Sequence, residues 1–330
     1  MKNSKSKEDF LPKGLLPEKH YLILQGFFSE YKKAVSHTIS EEEATQIFRT
    51  LGELIVKQIN DPYVFPPYHQ KVRKPFDYYA FGLHFARPLF DKSKSKVEGL
   101  KHVKDIVKAL NAKENVIFLA NHQSELDPLI IDYLLQDSYP ELGANIIHVA
   151  GERVITDPAA VPFSLGRDLL CIYSKRYIDH PPALKEKKQL HNKRTMTLMS
   201  ELLSEGGKAI YVAPSGGRDR KNAKGIVEVA PFDPQSIEMF YLMAKKAKRK
   251  THFYPLALDT YDILPPPDTV QKELGEKRNV TFTGVRMAFG PEVDMLHFSG
   301  SEGSDKITLR QKRAEFICNQ VKKMYEHLIS

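Results

Sequence analysis

The chain is poor in the residues that staple, anchor or link a protein. Only two cysteines, Cys171 and Cys318, occur in 330 residues, far apart and outside any C-x-x-C spacing. A disulfide framework and a zinc ribbon are thereby excluded, and a reducing compartment is the natural setting. Cys171 sits in Leu169-Leu170-Cys171-Ile172-Tyr173, an apolar run of strand character where a small buried thiol is the simplest role. No window approaches the roughly 20 apolar residues needed to cross a bilayer. Residues 1–10 are polar and mixed in charge, with no apolar stretch behind them, so a secretory signal is not expected. Gly- or Ser-rich linkers and fixed-period repeats are also missing, which favours a continuous compact fold. Two nucleotide and hydrolase signatures fail on single positions. Gly207-Lys208 is followed by Ala209, so there is no Walker A loop, and Ser215 lacks a glycine two residues before it, so G-x-S-x-G is broken.

What is present is an ordinary globular composition, 42% hydrophobic and 27% charged, with a net charge of +8 from 49 Lys and Arg against 41 Asp and Glu. A basic balance attracts nucleic acid, anionic membranes or acidic partners. The basic runs at 245–250 and 185–188 have no interleaved aromatics or glycines and read as solvated helix surface. No zinc-finger spacing or other recognised module accompanies them, so nucleic acid is not expected as a partner. Transient membrane contact stays open, and a transmembrane span does not.

Periodicity divides the chain. After Pro17, residues Leu24, Phe27, Phe28, Tyr31 and Val35 follow helical spacing. Ser40 and Glu43 have the spacing of a capping box, followed by the apolar stripe Ala44, Ile47, Phe48, Leu51, Leu54 and Ile55, and Asn60-Asp61-Pro62 stops the helix. Residues 62–75 are rich in proline and aromatics and form the best junction. A further helix opens around 76–82 and ends near Arg87-Pro88. Beyond it, short apolar runs at 116–120, 145–150, 169–173, 209–213 and 252–258 alternate with helical stretches, notably 129–135, 188–203 and 236–247. The expected architecture is α/β, a mixed sheet flanked by helices, with a small N-terminal helical domain; the expected division is 1–72 and 73–330. In such sheets ligands collect at the carboxyl ends of the strands, so chemistry is sought there.

Three strand ends carry it. The run 116–120 leads into Asn121-His122-Gln123-Ser124-Glu125-Leu126-Asp127-Pro128. Asp before Pro is a helix start, with Asp at the N-cap and Pro at N1. A carboxylate on this short turn can also reach back to His122 Nδ1–H, fix the tautomer and leave Nε2 to take a proton from an alcohol. H-x-x-x-x-D alone is a weak signal, with on the order of one chance match expected in such a chain. Its placement between a buried strand and a helix lifts it above chance. The second end is Pro214-Ser215-Gly216-Gly217-Arg218-Asp219-Arg220, a Gly-rich turn bearing two arginines whose forks suit phosphate. The plainer alternative is a tight turn whose arginines pair with acids such as Asp219. The third, Cys171-Ile172-Tyr173-Ser174-Lys175-Arg176-Tyr177, places two cations after a strand.

Taken together, these segments resemble the glycerolipid acyltransferase superfamily through the His122/Asp127 motif. Within it they are similar to the soluble, plastid-type glycerol-3-phosphate acyltransferases. The resemblance extends over Asp61-Pro62-Tyr63, Pro75-Phe76-Asp77-Tyr78-Tyr79, Arg87-Pro88, Thr156-Asp157-Pro158, residues 169–175, residues 214–220 and Ala230-Pro231-Phe232-Asp233-Pro234, in order from about 60 to 260. It implies His122 as general base with Asp127 as its partner. It also implies Arg218, Arg220, Arg176 and Lys175 as ligands of the acceptor phosphate. Relatives carry Lys-Lys-His at the third strand end; here Tyr177 replaces an imidazole with a neutral phenol. The implied reaction moves a fatty acyl group from acyl carrier protein, or from acyl-coenzyme A, to the 1-hydroxyl of glycerol 3-phosphate. No cofactor and no metal are called for. A strongly acidic acyl carrier protein would be steered by the basic balance of this chain. A cytoplasmic location is expected, with the plastid stroma as the alternative. The rival readings are a lysophospholipid acyltransferase and a non-catalytic phosphate- or lipid-binding protein.

Overall fold

Two amphipathic helices open the structure, α1 (Glu18–Val35) and α2 (Glu41–Asn60). The structure, a computed structural model, describes residues 10–12, 14–174, 178–267, 278–303 and 305–330. The stripes read from the sequence are the buried faces: Leu24, Phe27, Phe28 and Tyr31 of α1 meet Ile47, Phe48 and Leu51 of α2. Ser40 Oγ accepts from the Glu43 amide at 3.1 Å and so satisfies one of the orphan donors of the first turn. Phe48 is the hub. Its ring lies 5.0–5.8 Å from those of Phe10, Phe27, Phe28 and Tyr31.

The chain then enters the α/β body through β1 (Tyr68–His69), α3 (Tyr78–Ala86), β2 (Lys96–Glu98) and α4 (Leu100–Asn111). Next come β3 (Asn115–Ala120), α5 (Asp127–Leu135), α6 (Pro140–Asn145), β4 (Ile147–Ala150), α7 (Glu152–Thr156), α8 (Val161–Ser164) and β5 (Asp168–Cys171). The last part holds α9 (Lys185–Glu205), β6 (Ala209–Val212), the small hairpin β7 (Arg220–Lys221) and β8 (Val227–Glu228), α10 (Pro234–Lys246), β9 (Thr251–Asp259), β10 (Arg286–Phe289) and α11 (Lys306–Ile329). Eight of these strands form one sheet in the order β1-β5-β4-β6-β3-β9-β10-β2. The block β5-β4-β6-β3-β9 is parallel; β1 and β10 run antiparallel to their block neighbours, which makes the sheet mixed. The expected boundary at 72 falls just after β1, a strand of this sheet.

Strand β3 shows why the run 116–120 is apolar without alternation. Ile117 and Leu119 face one layer, built by α9, α10 and α11, while Val116, Phe118 and Ala120 face the other, with α4, α5 and α6. A strand covered on both sides has no polar face. The chain leaves β3 toward β4 and β5 on one side and returns past it to reach β9 on the other. The crevice at the carboxyl end of β3 is therefore a switch point of the topology. The N-terminal helices close over one side of that crevice. Their cluster is continuous with Phe85 of α3, Leu129 and Ile130 of α5, and Leu264 and Val280.

One surface reading needs correction. Lys188 does not lie on solvated helix surface. It is buried, pairs with Glu152 Oε1 at 2.7 Å and donates to the His180 carbonyl at 2.7 Å.

Because Phe48 joins α1, α2 and α3 through ring contacts, Phe48→Ala is expected to lower the free energy of unfolding by about 3–5 kcal/mol. A shift of the denaturation midpoint in urea at unchanged slope measures it; a change below about 1 kcal/mol would mean that the helical cap contributes little to the cooperative unit.

Candidate active site

His122 is positioned by its two neighbours. Asn121 continues the β3–β9 ladder with its side chain: Oδ1 accepts from the Leu258 amide at 2.7 Å, and Nδ2 donates to the Leu258 carbonyl at 2.9 Å. Gln123 Oε1 accepts from the Thr260 amide at 2.7 Å. Both side-chain amides also donate to Asp219 Oδ2, at 2.9 Å from Asn121 and 3.2 Å from Gln123. Asp219 in turn accepts from the Ala230 amide at 2.8 Å, and its own amide donates to the His122 carbonyl at 2.6 Å. Burial raises the Asp219 carboxyl above the usual range, against the pull of these donors. The Tyr211 hydroxyl donates to the Asn121 carbonyl at 2.9 Å. The side chains of Asn121, Gln123 and Asp219 are thus all paired, as burial requires.

Asp127 is fully buried and receives four hydrogen bonds. Oδ2 takes His122 Nδ1 at 2.7 Å and the Gln123 amide at 3.0 Å, while Oδ1 takes the Ser124 amide at 3.2 Å and the Thr260 hydroxyl at 2.6 Å. The helix-cap role expected for Asp127 is not what forms. α5 begins at Asp127 itself, its N-cap is Leu126, and the carboxylate folds back onto the 122–124 turn. Two backbone donors and a histidine on that turn compete for it better than the helix end does. The amides at the start of this helix, the nearest candidates to stabilise an oxyanion, are likewise engaged. Leu126 N donates to Ser124 Oγ at 3.1 Å, Asp127 N to the Ser124 carbonyl at 3.1 Å, and Leu129 N to the Leu126 carbonyl at 2.9 Å.

With Asp127 on Nδ1, the proton of a neutral His122 sits there and Nε2 is the acceptor. His122 is partly exposed and lines a cavity that is open to solvent. Its wall is largely apolar, including Phe27 of α1, Phe85 of α3, Leu129 of α5 and Phe163 of α8. The arrangement can take a proton from a hydroxyl placed at the mouth and shelter a hydrophobic group inside.

Charge enters through Glu125, on the turn between His122 and Asp127. It is largely shielded from water, and desolvation alone would raise its carboxyl; Arg278, Arg218 and Arg153 outweigh that and hold it well below the usual carboxylate range. Arg278 Nε lies 3.1 Å and Arg218 Nη1 3.6 Å from this carboxylate, and Arg278 also holds Asp157 at 2.6 Å. Of the residues singled out from the sequence, the structure brings together His122, Asp127 and, through Glu125, Arg218. Arg220 donates from Nη1 to the Pro267 carbonyl. Gly216, with φ of +66°, makes the turn that carries both arginines. Lys175, Arg176 and Tyr177 lie outside the described residues. Sequence reasoning missed Thr260, Asp219 as a structural centre, Glu125 and Arg278. Thr260 and Glu125 carried a usable signal, one at the end of an apolar strand and one inside the motif; Arg278 carried none. Among the described residues no group of three His, Cys, Asp or Glu is placed to hold a metal.

A mixed α/β sheet thus carries a His–Asp pair at its switch point, beside a largely apolar cavity. The acyltransferase family model matches residues 94–259, and the chain belongs to that family. It is 40% identical over 285 residues to the chloroplastic glycerol-3-phosphate acyltransferase of Spinacia oleracea, covering 85% of this chain and 60% of the relative. Against the Arabidopsis thaliana protein of the same name the identity is 39% over 285 residues, covering 85% and 62%. Against that of Carthamus tinctorius it is 35% over 323 residues, covering 96% and 70%. The chain thus spans about three fifths of the length of the first two relatives. No described helix is long and apolar enough to cross a membrane.

One buried group makes the body sensitive to acid. His148 of β4 lies in the cavity wall beside Tyr211, and burial, with Arg167 and Lys71 nearby, pushes it down to about 3 from 6.5. Between those two values the unfolded chain binds a proton that the folded chain refuses, so this residue's contribution to stability falls as pH falls from 6.5 toward 3. A tenfold difference in proton affinity between the folded and unfolded chain is worth about 1.4 kcal/mol. In urea titrations across that window, His148→Gln is expected to show a shallower loss of stability with acid than wild type. Parallel curves would mean that other groups carry the acid sensitivity.

Proposed function

We propose that the chain transfers a fatty acyl group from a thioester to the 1-hydroxyl of glycerol 3-phosphate. The observation that carries this is the His122–Asp127 pair in the wall of the apolar cavity, with the carboxylate engaged at Nδ1. The names of the relatives support the choice of acceptor. The acceptor phosphate is read as sitting on Arg218, with Arg220, Lys175 and Arg176 as further ligands. His122 Nε2 takes the proton of the 1-hydroxyl as its oxygen attacks the thioester carbonyl. The tetrahedral intermediate then collapses, the carbon–sulfur bond breaks, and the proton passes to the departing thiolate. The products are 1-acylglycerol 3-phosphate and a free thiol. Asp127 holds the tautomer and balances the imidazolium; Thr260 holds Asp127. Orientation of the acceptor through its phosphate supplies much of the acceleration.

Acyl carrier protein is proposed as the donor ahead of coenzyme A, because an acidic partner suits a chain of net charge +8. The relatives are described as chloroplastic, which favours the plastid stroma over the cytoplasm expected from sequence. Two buried thiols, Cys171 and Cys318, suit a reducing stroma.

The test follows release of free carrier from palmitoyl or oleoyl acyl carrier protein, dependent on glycerol 3-phosphate. His122→Ala is expected to lose about 10²–10⁴-fold in turnover while still binding glycerol 3-phosphate. A wild type silent with acyl carrier protein and with coenzyme A thioesters would defeat the enzyme reading in favour of a binding protein. Thr260→Val keeps the shape but removes one donor from a buried carboxylate. Turnover is expected to drop about tenfold or more at an unchanged KM for glycerol 3-phosphate. Wild-type turnover in this variant would leave Thr260 a purely structural residue.

A further inference from the structure

The cavity that His122 faces has an unlike patch in its wall. Most of its lining is apolar, from the helices, but His148 of β4 and Arg167, just before β5, also line it. Both are 3% exposed. Arg167 Nη1 pairs with Asp132 Oδ2 at 2.6 Å, and the guanidinium lies 5.0 Å from the centre of the Tyr79 ring. Its Nε and Nη2, and both ring nitrogens of His148, have no hydrogen-bond partner among the described residues. Buried polar atoms left unpaired are costly, and native interiors rarely tolerate them. Four such atoms in one wall of one cavity therefore call for an occupant that can hydrogen-bond.

Charge restricts what that occupant is. Asp132 already balances Arg167, and the histidine is neutral, since burial pushes it down to about 3. An anion placed there would add an unbalanced buried charge, whereas water matches a patch that offers both donors and an acceptor. A hydrocarbon chain does not match it at all. Pushing methylenes against this patch would expel water from groups that have no other partner.

We propose that His148 and Arg167 limit acyl chain length: they hold water at one end of the cavity, and a saturated chain stops where that water begins. The inference rests on the reading that the cavity receives the acyl chain. Affinity should then climb with chain length while the chain fills the apolar wall, and fall once the chain reaches the polar patch.

The experiment measures binding by calorimetry, independently of turnover, for a series of saturated acyl-coenzyme A thioesters from myristoyl through palmitoyl and stearoyl to arachidoyl. Wild type should show an optimum within the series. His148→Leu, which removes the water's partners and adds apolar wall, should move the optimum to a longer chain and raise the ratio of arachidoyl to palmitoyl affinity about tenfold. His148→Gln, which can still hydrogen-bond water, should keep the wild-type profile. The double variant Arg167→Met with Asp132→Leu removes the ion pair as a unit and provides a second route if His148→Leu fails to fold; it should shift the optimum the same way. A wild-type affinity that rises without a break to arachidoyl overturns the proposal, and so does a profile unchanged in both apolar variants. Failure of the wild type to bind any member of the series would instead defeat the acyl-cavity reading, and this inference with it.

Discussion

Four donors converge on the carboxylate of Asp127 in a place that water does not reach. A buried carboxylate without partners would be among the most costly groups in a protein, so its donors are fixed by need. Two of them are backbone amides, which sets the conformation of the turn from 122 to 124. One is His122, whose ring is oriented as a result. The fourth is the hydroxyl of Thr260, at the end of β9, so the turn after one strand is tied to the end of the next. The orientation of the imidazole is thus a consequence of where a negative charge can be tolerated.

A second carboxylate repeats the device on the turn between β6 and β7. Asp219 gathers the side chains of Asn121 and Gln123 and the amide of Ala230, and its own amide holds the His122 carbonyl. It thereby brings the Gly-rich turn and its arginines beside the histidine. Glu125 completes the set by drawing Arg218 and Arg278 toward the same mouth. Three acids, each with a different partner chemistry, place the imidazole that faces the cavity.

Sequence patterning made the scaffold legible where burial is simple. Leu24, Phe27, Phe28 and Tyr31 announce a helix because one face is wet, and the run 116–120 announces a strand because neither face is. The pair His122 and Asp127 was legible because both lie on one turn. What stayed hidden depends on contacts distant in sequence or on competition between roles. Asp127 before Pro128 reads as a cap, and only the arrival of Thr260 and the turn amides shows why it faces the other way. Arg278 lies in no pattern; its place is set by Glu125 and Asp157, on two different segments. Short strands such as β2 and β10 carry too few residues to show a period. His148 and Arg167 read as nothing in particular until their emptiness of partners inside a cavity wall is seen.

The hydrogen bonds that frame His122 join positions far apart along the chain: 98 for Asn121 to Asp219, 133 for Thr260 to Asp127 and 137 for Gln123 to Thr260. Loops of that length close late and slowly, since their entropy must be spent before any contact repays it. During synthesis, a chain emerging as far as β6 already contains both His122 and Asp127, but the carboxylate still lacks the hydroxyl that helps to bury it. Until β9 lies beside β3, the carboxylate therefore lacks one of its four donors, and the turn that orients His122 is incompletely braced.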